Sequence, residues 1–199
     1  MAFRGLAGED GGMKIDQAGI RARIEGSVRA VSGLIALAPQ VERCARAVAD
    51  ALGRGGQVLT CGNGGSAAEA MHLSEELVGK YRAVRRALPA ICLNADPTAL
   101  TCIANDFGYE QVFARQVEAF GRKGDVLVVF STSGASPNVL RALARAQEMG
   151  LTTVGLLGKG GGAALEGCDC AVVVPSQDTA HIQEAHQVVV HLILEAVEG

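Results

Sequence analysis

The sequence predicts an α/β fold: a doubly wound, five-stranded parallel sheet flanked by helices, with an N-terminal helical extension. Three observations lead there. From Gln57 onward, strand-like and helix-like runs alternate, the order that places helices on both faces of a parallel sheet. The strand-like runs are almost continuously apolar rather than alternating, as strands covered on both sides must be. Two amphipathic helical patterns precede the first strand, more than the sheet itself requires.

Residues 1–15 read as a flexible leader, with Met13 offering an alternative start; 16–55 carry the extra helices and 56–199 the α/β domain. In the first helix, over 17–37, Ile20, Ile24, Val28, Val31 and Ile35 recur at steps of three and four, with Arg21, Arg23, Glu25 and Arg29 between them. Pro39 opens the second, through Val41, Ala45, Val48 and Leu52 to Gly53. Such a helix serves either as an oligomer contact or as cover for the chain's own core. Strands are expected at 58–61, 89–94, 125–130, 152–157 and 170–175, and helices at 67–79, 98–104, 109–120, 137–148 and 180–197. Ligands of such sheets bind beyond the carboxyl ends of the strands, so the loops at 62–66, 95–98, 131–136 and 176–179 form the working edge.

Composition narrows the function. The chain of 199 residues is 49% hydrophobic, enough for a sizeable core, yet only 4% aromatic and without Trp. A net charge of −3 offers no basic face for nucleic acid. The apolar runs are strand-length, so no segment spans a membrane, and the N-terminus lacks the apolar stretch of a signal peptide. Cys44, Cys61, Cys92, Cys102, Cys168 and Cys170 show neither C-x-x-C nor zinc-finger spacing. They read as reduced, structural thiols of a cytoplasmic protein.

Two loops carry the chemistry. In CGNGGSAAEAMHLSEELVGKY, from Cys61 to Tyr81, Gly62, Gly64 and Gly65 free the backbone. Asn63 and Ser66 suit a turn and a helix N-cap. A helix starting near Ser66 aims unpaired N–H groups and its positive dipole end at the turn, an anion site. His72 and Glu76, four apart, then share one helical face. The second loop, STSGAS from Ser131 to Ser136, places four hydroxyls in six residues before a helix opened by Pro137, with Ser136 as N-cap. Hydroxyls and N–H groups hold phosphate without a basic residue. The last helix, AHIQEAHQVVVHLILEAVE, carries His181, Gln183, Glu184, His186, Gln187 and His191. With His72 and Glu76 it completes a set of two His, a carboxylate and an amide, which fits either zinc or metal-free acid–base work.

Other motifs are weaker. GNGGSA (62–67) and GKGGGA (158–163) approximate a dinucleotide fingerprint. The first has Arg82, Arg85 and Arg86 where an acidic residue should stand, and the second follows a late strand. Neither a Walker motif nor a nucleophile elbow is present. No nucleotide cofactor is expected.

Together, CGNGGSAAEAMHLSEEL, CIANDFGYE, STSGASPNVL and HIQEAHQVVVH resemble the phosphoheptose isomerase family, within the wider group of sugar isomerase (SIS) domains. The resemblance covers about residues 16–197. It implies an aldose–ketose isomerase converting sedoheptulose 7-phosphate to D-glycero-D-manno-heptose 7-phosphate through an enediol, at the head of ADP- or GDP-heptose biosynthesis for lipopolysaccharide or related heptosides. It implies substrate contacts at Asn63, Gly64, Gly65, Ser66, Glu76, Asn105, Asp106, Ser131, Thr132, Ser133, Ser136 and Gln183. It further implies catalysis by Glu76 and His191, and one zinc per subunit on His72, Glu76, Gln183 and His191. Members are homotetramers with a central bundle of N-terminal helices and active sites between subunits. Lys80 departs from the family's usual Arg, and Lys lacks the planar fork. Helix geometry alone would pair His191 with Glu184, seven residues back, since eight steps to Gln183 leave roughly 80°. The other readings are a non-catalytic SIS module that binds sugar phosphate or serves as an adaptor, and an isomerase of another ketose phosphate.

Overall fold

The computed structural model describes residues 16–199; the leader expected at 1–15 lies outside them. The helices are α1 (Gln17–Gly33), α2 (Ala38–Gly53), α3 (Gly65–Val78), α4 (Pro97–Phe107), α5 (Ala114–Phe120), α6 (Pro137–Glu148) and α7 (Thr179–Glu198). The strands are β1 (Val58–Gly62), β2 (Ala90–Cys92), β3 (Val126–Ser131), β4 (Thr152–Leu157) and β5 (Cys170–Val173). All pair in parallel in the order β2-β1-β3-β4-β5. The doubly wound five-stranded sheet predicted from the sequence is therefore present.

Alternate residues of each strand feed two separate cores. Val58, Val126, Val128, Phe130, Val154, Leu156 and Val172 face α1, α2, α3 and α7. Leu59, Cys61, Leu127, Val129 and Leu157 face α5 and α6, with α4 packed at the margin. Dry faces on both sides explain the unbroken apolar runs. The helices carry the matching stripe: α6 buries Val139, Ala142, Leu143 and Ala146, one face of a 3.6-residue period. Asp96 caps α4 by accepting from the N–H groups of Thr98 and Ala99, and Pro97 follows at the first turn.

α1 meets one of the two alternatives raised by its pattern, packing on the chain's own core. Gly26 and Ala30 are buried, and a Cβ on Gly26 would lie 2.3 Å from His181 of α7, so this face docks on the chain's own core. Ile20, Ile24, Val28 and, just beyond, Ile35 remain at least half exposed.

Two of the expected helices contain 3-10 turns. The first helix tightens to a 3-10 turn over Leu34–Leu37 ahead of Pro39. The helix expected at 109–120 splits into a 3-10 turn (Tyr109–Gln111) and α5. Gly108, at φ +89, ends α4, and the tighter turn lets adjacent Val112 and Phe113 both enter the core. Burial pushes the Cys61 and Cys168 thiols up, the latter to about 12, as befits structural residues.

The GKGGGA stretch has a structural task. Gly134 of the serine loop sits at φ +61, and a Cβ there would meet the Gly161 carbonyl at 1.8 Å. A Cβ on Gly162 would meet the Ser133 carbonyl at 2.6 Å. The Ala164 N–H donates to the Gly134 carbonyl at 2.9 Å. The glycine run thus backs the serine loop. Gly134→Ala should destabilise the protein by about 1–3 kcal/mol from backbone strain alone, with further loss as the two loops separate. Urea unfolding would measure this, and an unchanged midpoint would contradict such packing.

Candidate active site

The site begins at the register of β1 and β3. Gly62 pairs with Phe130, so Asn63 and Ser131 leave the sheet side by side where the strand order reverses, the expected place for a ligand. Asn63, Gly65, Ser66, Phe130, Ser131, Thr132, Ser133, Ser136, Thr179 and Gln183 line a cavity of about 180 Å³ there. None carries a formal charge. The N-termini of α3 and α6 both open toward it, and their unpaired N–H groups favour an anion.

Each loop is held in shape. Asn63 and Asn138 bond reciprocally through their amides, both at 2.9 Å. The Tyr109 hydroxyl donates to Asn63 Oδ1 at 3.1 Å. Ser131 Oγ accepts from the Gly134 N–H, and Ser133 Oγ from that of Ala135. Ser136 occupies the N-cap of α6, yet its side chain makes no capping bond. Its hydroxyl is thus free for a ligand. The helix after β1 starts at Gly65, two residues ahead of the expected 67, and its N-cap is Gly64 (φ +58) rather than Ser66.

A second group lies further along α3, where this helix runs beside α7. Gln183 lies over Gly65, where a Cβ would come within 2.3 Å of its amide nitrogen. His72 Nδ1 is 2.6 Å from Gln187 Oε1. Because that oxygen accepts, Nδ1 carries the hydrogen and Nε2 keeps its lone pair. Nε2 is 3.7 Å from Glu76 Oε1. The His191 ring stands edge-on to His72 at 5.4 Å and stacks on Tyr81 at 5.5 Å. His72, Glu75 and Glu76 bring ligand atoms within 4.8 Å of one another, a grouping able to hold a metal ion.

Tyr81 is set by a clamp at the end of α7. Glu198 accepts from the N–H groups of Tyr81, Arg82 and Ala83 and from Arg85 Nε. Arg85 also donates to the carbonyls of Glu76 and Leu77, the last turn of α3. The bond from Ala83, with those from Arg82 and Tyr81 and the Arg85 charge, holds the Glu198 carboxyl below its usual range.

Known proteins share this fold. The SIS domain family model matches residues 25–158. A phosphoheptose isomerase of Campylobacter concisus is 49% identical over 179 residues, covering 90% of this chain and 95% of that protein. Solved phosphoheptose isomerases superpose closely. The one from Francisella tularensis has a TM-score of 0.86 and 36% identity, over 89% of this chain and 95% of that one. The one from Neisseria gonorrhoeae has a TM-score of 0.86 and 37% identity, over 92% and 98%.

The chain belongs to the phosphoheptose isomerase family of SIS-domain proteins.

Within that family frame, all the predicted residues but Asn105 and Asp106 fall into two sets. Asn63, Gly65, Ser66, Ser131, Thr132, Ser133, Ser136 and Gln183 line the cleft, with Gly64 in its rim turn. His72, Glu76 and His191 adjoin one another along α3 and α7. Gln183 lies about two turns before His191, nearer the strand ends, and the amide bonded to His72 is that of Gln187, one turn closer. Glu184, favoured by rotation alone, is exposed. Asn105 and Asp106 stand exposed on α4, hydrogen-bonded to each other, and do not line the cleft of this chain. Lys80 is exposed beside the clamp. Sequence reasoning named Gln187 on the last helix but gave it no role, although Gln183, Gln187 and His191 step by four. It also missed Tyr109, Tyr81, Arg85 and Glu198, whose partners are remote.

Glu198→Ala should free 80–88, raising amide exchange there and lowering activity through Tyr81 and His191. Because the folded carboxyl titrates below its unfolded value, its contribution is present above the unfolded value and is lost as pH falls through the lowered one. Protection of 80–88 should therefore outlast the ordinary carboxylate range on acidification. Exchange mass spectrometry against pH measures both effects, and unchanged exchange in the variant would refute the clamp.

Proposed function

We propose that the chain converts sedoheptulose 7-phosphate to D-glycero-D-manno-heptose 7-phosphate, the aldose–ketose isomerisation its family performs. One observation carries the reading: an uncharged, hydroxyl-lined cleft at the β1/β3 switch point shares helix α3 with an imidazole–carboxylate group. One end suits a phosphate and the other a proton transfer.

In this reading the phosphate docks on Ser131, Thr132, Ser133 and Ser136 under the two helix N-termini. The Asn63–Ser66 turn and Gln183 grip the sugar. The open-chain ketose presents C1 and C2 to Glu76 and His191. Glu76 takes a proton from C1, the electrons of the C–H bond form the C1–C2 double bond of a cis-enediol, and O2 gains a proton. Glu76 then returns a proton to C2 while O1 loses one to give the aldehyde. His191, steadied against Tyr81, serves the O1 and O2 protons and ring opening. Gln183 and Tyr109, by fixing Gly65 and Asn63, keep the substrate turn in place.

The donor set fits a zinc ion, since Gln187 leaves the His72 Nε2 lone pair facing Glu76. His72, Glu76 and His191 would hold it, with Gln183 or Glu75 beside them. When bound, it would polarise the C2 carbonyl as a Lewis acid. A homotetramer joined through α1 accompanies the proposal, supported by the exposed row of Ile20, Ile24 and Val28. In such an assembly Asn105 and Asp106 would meet substrate in a neighbouring subunit's site. The described residues hold no helix long and apolar enough to cross a membrane. A cytoplasmic setting goes with this reading, as all six cysteines are free.

Incubation with sedoheptulose 7-phosphate tests the proposal, and absence of turnover by the metal-loaded protein would end it. Glu76→Gln should keep the fold and lose activity on the order of 10²–10⁴-fold. Ser133→Ala with Ser136→Ala should instead act mainly through KM, because these hydroxyls hold a phosphate that does not change during the reaction. Steady-state kinetics separates the two effects.

A further inference from the structure

One polar pair on the α3–α7 seam is buried outright and takes no part in binding or proton transfer. Glu69 is 3% exposed and His186 fully buried. His186 Nε2 lies 3.2 Å from the Leu157 carbonyl, and its Nδ1 lies 3.5 Å from Glu69 Oε2. Phe130, a wall of the cleft, packs edge-on to the His186 ring at 6.2 Å. Among the described residues, neither Nδ1 nor either Glu69 oxygen has a hydrogen-bond partner, and the 3.5 Å approach is an ion-pair distance only.

The proton count follows from donor chemistry. A carbonyl only accepts, so Nε2 carries a hydrogen. In a neutral ring Nδ1 is then a bare lone pair. Facing a carboxylate in a dry setting, it would leave two acceptors opposed and unsatisfied, a costly arrangement. One proton between them removes the conflict, either as imidazolium and carboxylate or as imidazole and carboxylic acid.

The location gives the pair its role. Glu69 is four residues beyond Gly65 and three before His72. His186 is three beyond Gln183 and next to Gln187. Gly65 meets Gln183 on one side of the pair and His72 meets Gln187 on the other. The buried pair is thus the middle of three successive contacts between α3 and α7. It lies between the cleft and the imidazole–carboxylate group.

We infer that Glu69 and His186 share one buried proton and act as positioning residues, fixing α3 against α7 so that the phosphate end and the proton-transfer end of the site stay at a set separation. The kinetic consequence rests on the isomerase reading; the shared proton does not. The test uses the full-length protein labelled with ¹⁵N, the His186 ring nitrogens being assigned by comparison with His186→Gln. Nδ1 should be protonated or hydrogen-bonded in the wild type and bare in Glu69→Ala. Glu69→Gln, whose amide can donate to Nδ1, should restore the hydrogen-bonded signal. In kinetics, Glu69→Gln should stay within a few-fold of wild type. Glu69→Ala, folded at the assay temperature, should lose kcat on the order of 10–100-fold, the scale of an ångström-level misplacement. A bare Nδ1 in the wild type overturns the inference. So does a Glu69→Ala protein that merely melts earlier while keeping kcat and KM. If Glu69→Ala does not fold, the wild-type and Glu69→Gln spectra decide. If the wild type turns over no heptose phosphate, the isomerase reading fails and the nitrogen spectrum still judges the pair.

Discussion

The close approach of α3 and α7 is the constraint on which the site depends. The helices are separated by 100 residues of intervening sheet and cover, yet Gln183 lies where a side chain on Gly65 would have to be. That contact requires glycine at the start of α3, and the same glycine-rich turn leaves the helix N-terminus open to a ligand. Everything further along the seam inherits this spacing. His72 reaches Gln187, and His191 lies between His72 and Tyr81.

The sheet supplies the other half of the arrangement. Because β1 and β3 are neighbours and their connections leave in opposite directions, no helix covers the gap between their ends. Two polar loops with little apolar content can therefore sit at the edge of a dry core. Their shapes come from local bonds, such as the paired amides of Asn63 and Asn138, and from the glycine run packed behind Gly134.

Much of this was legible in the sequence, for identifiable reasons. Strands buried on both faces must be apolar throughout, so β1, β3 and β4 were found nearly to the residue. The serine loop and the His72–Glu76 spacing were legible because loop chemistry and helical periodicity are local. What escaped depends on remote partners. The break between Tyr109 and α5 answers to the packing of Val112 and Phe113. The cap at Gly64 in place of Ser66 reflects a glycine already committed to positive φ. The Glu198 clamp joins segments more than a hundred residues apart. The GKGGGA run looked like a nucleotide loop because close approach of any backbone, whether to pyrophosphate or to another loop, demands glycine in the same way.

The uncharged lining of the cleft has a consequence for how a phosphorylated sugar arrives. With a net charge of −3 over the chain and no cation among the lining residues, there is no long-range pull on an anion. Encounter is left to ordinary diffusion, and retention to short-range donors whose strength depends on alignment. Mobile ions that would shield a lysine or arginine find no such charge among the lining residues, so salt should act on capture mainly through the partial charges of the two helix N-termini.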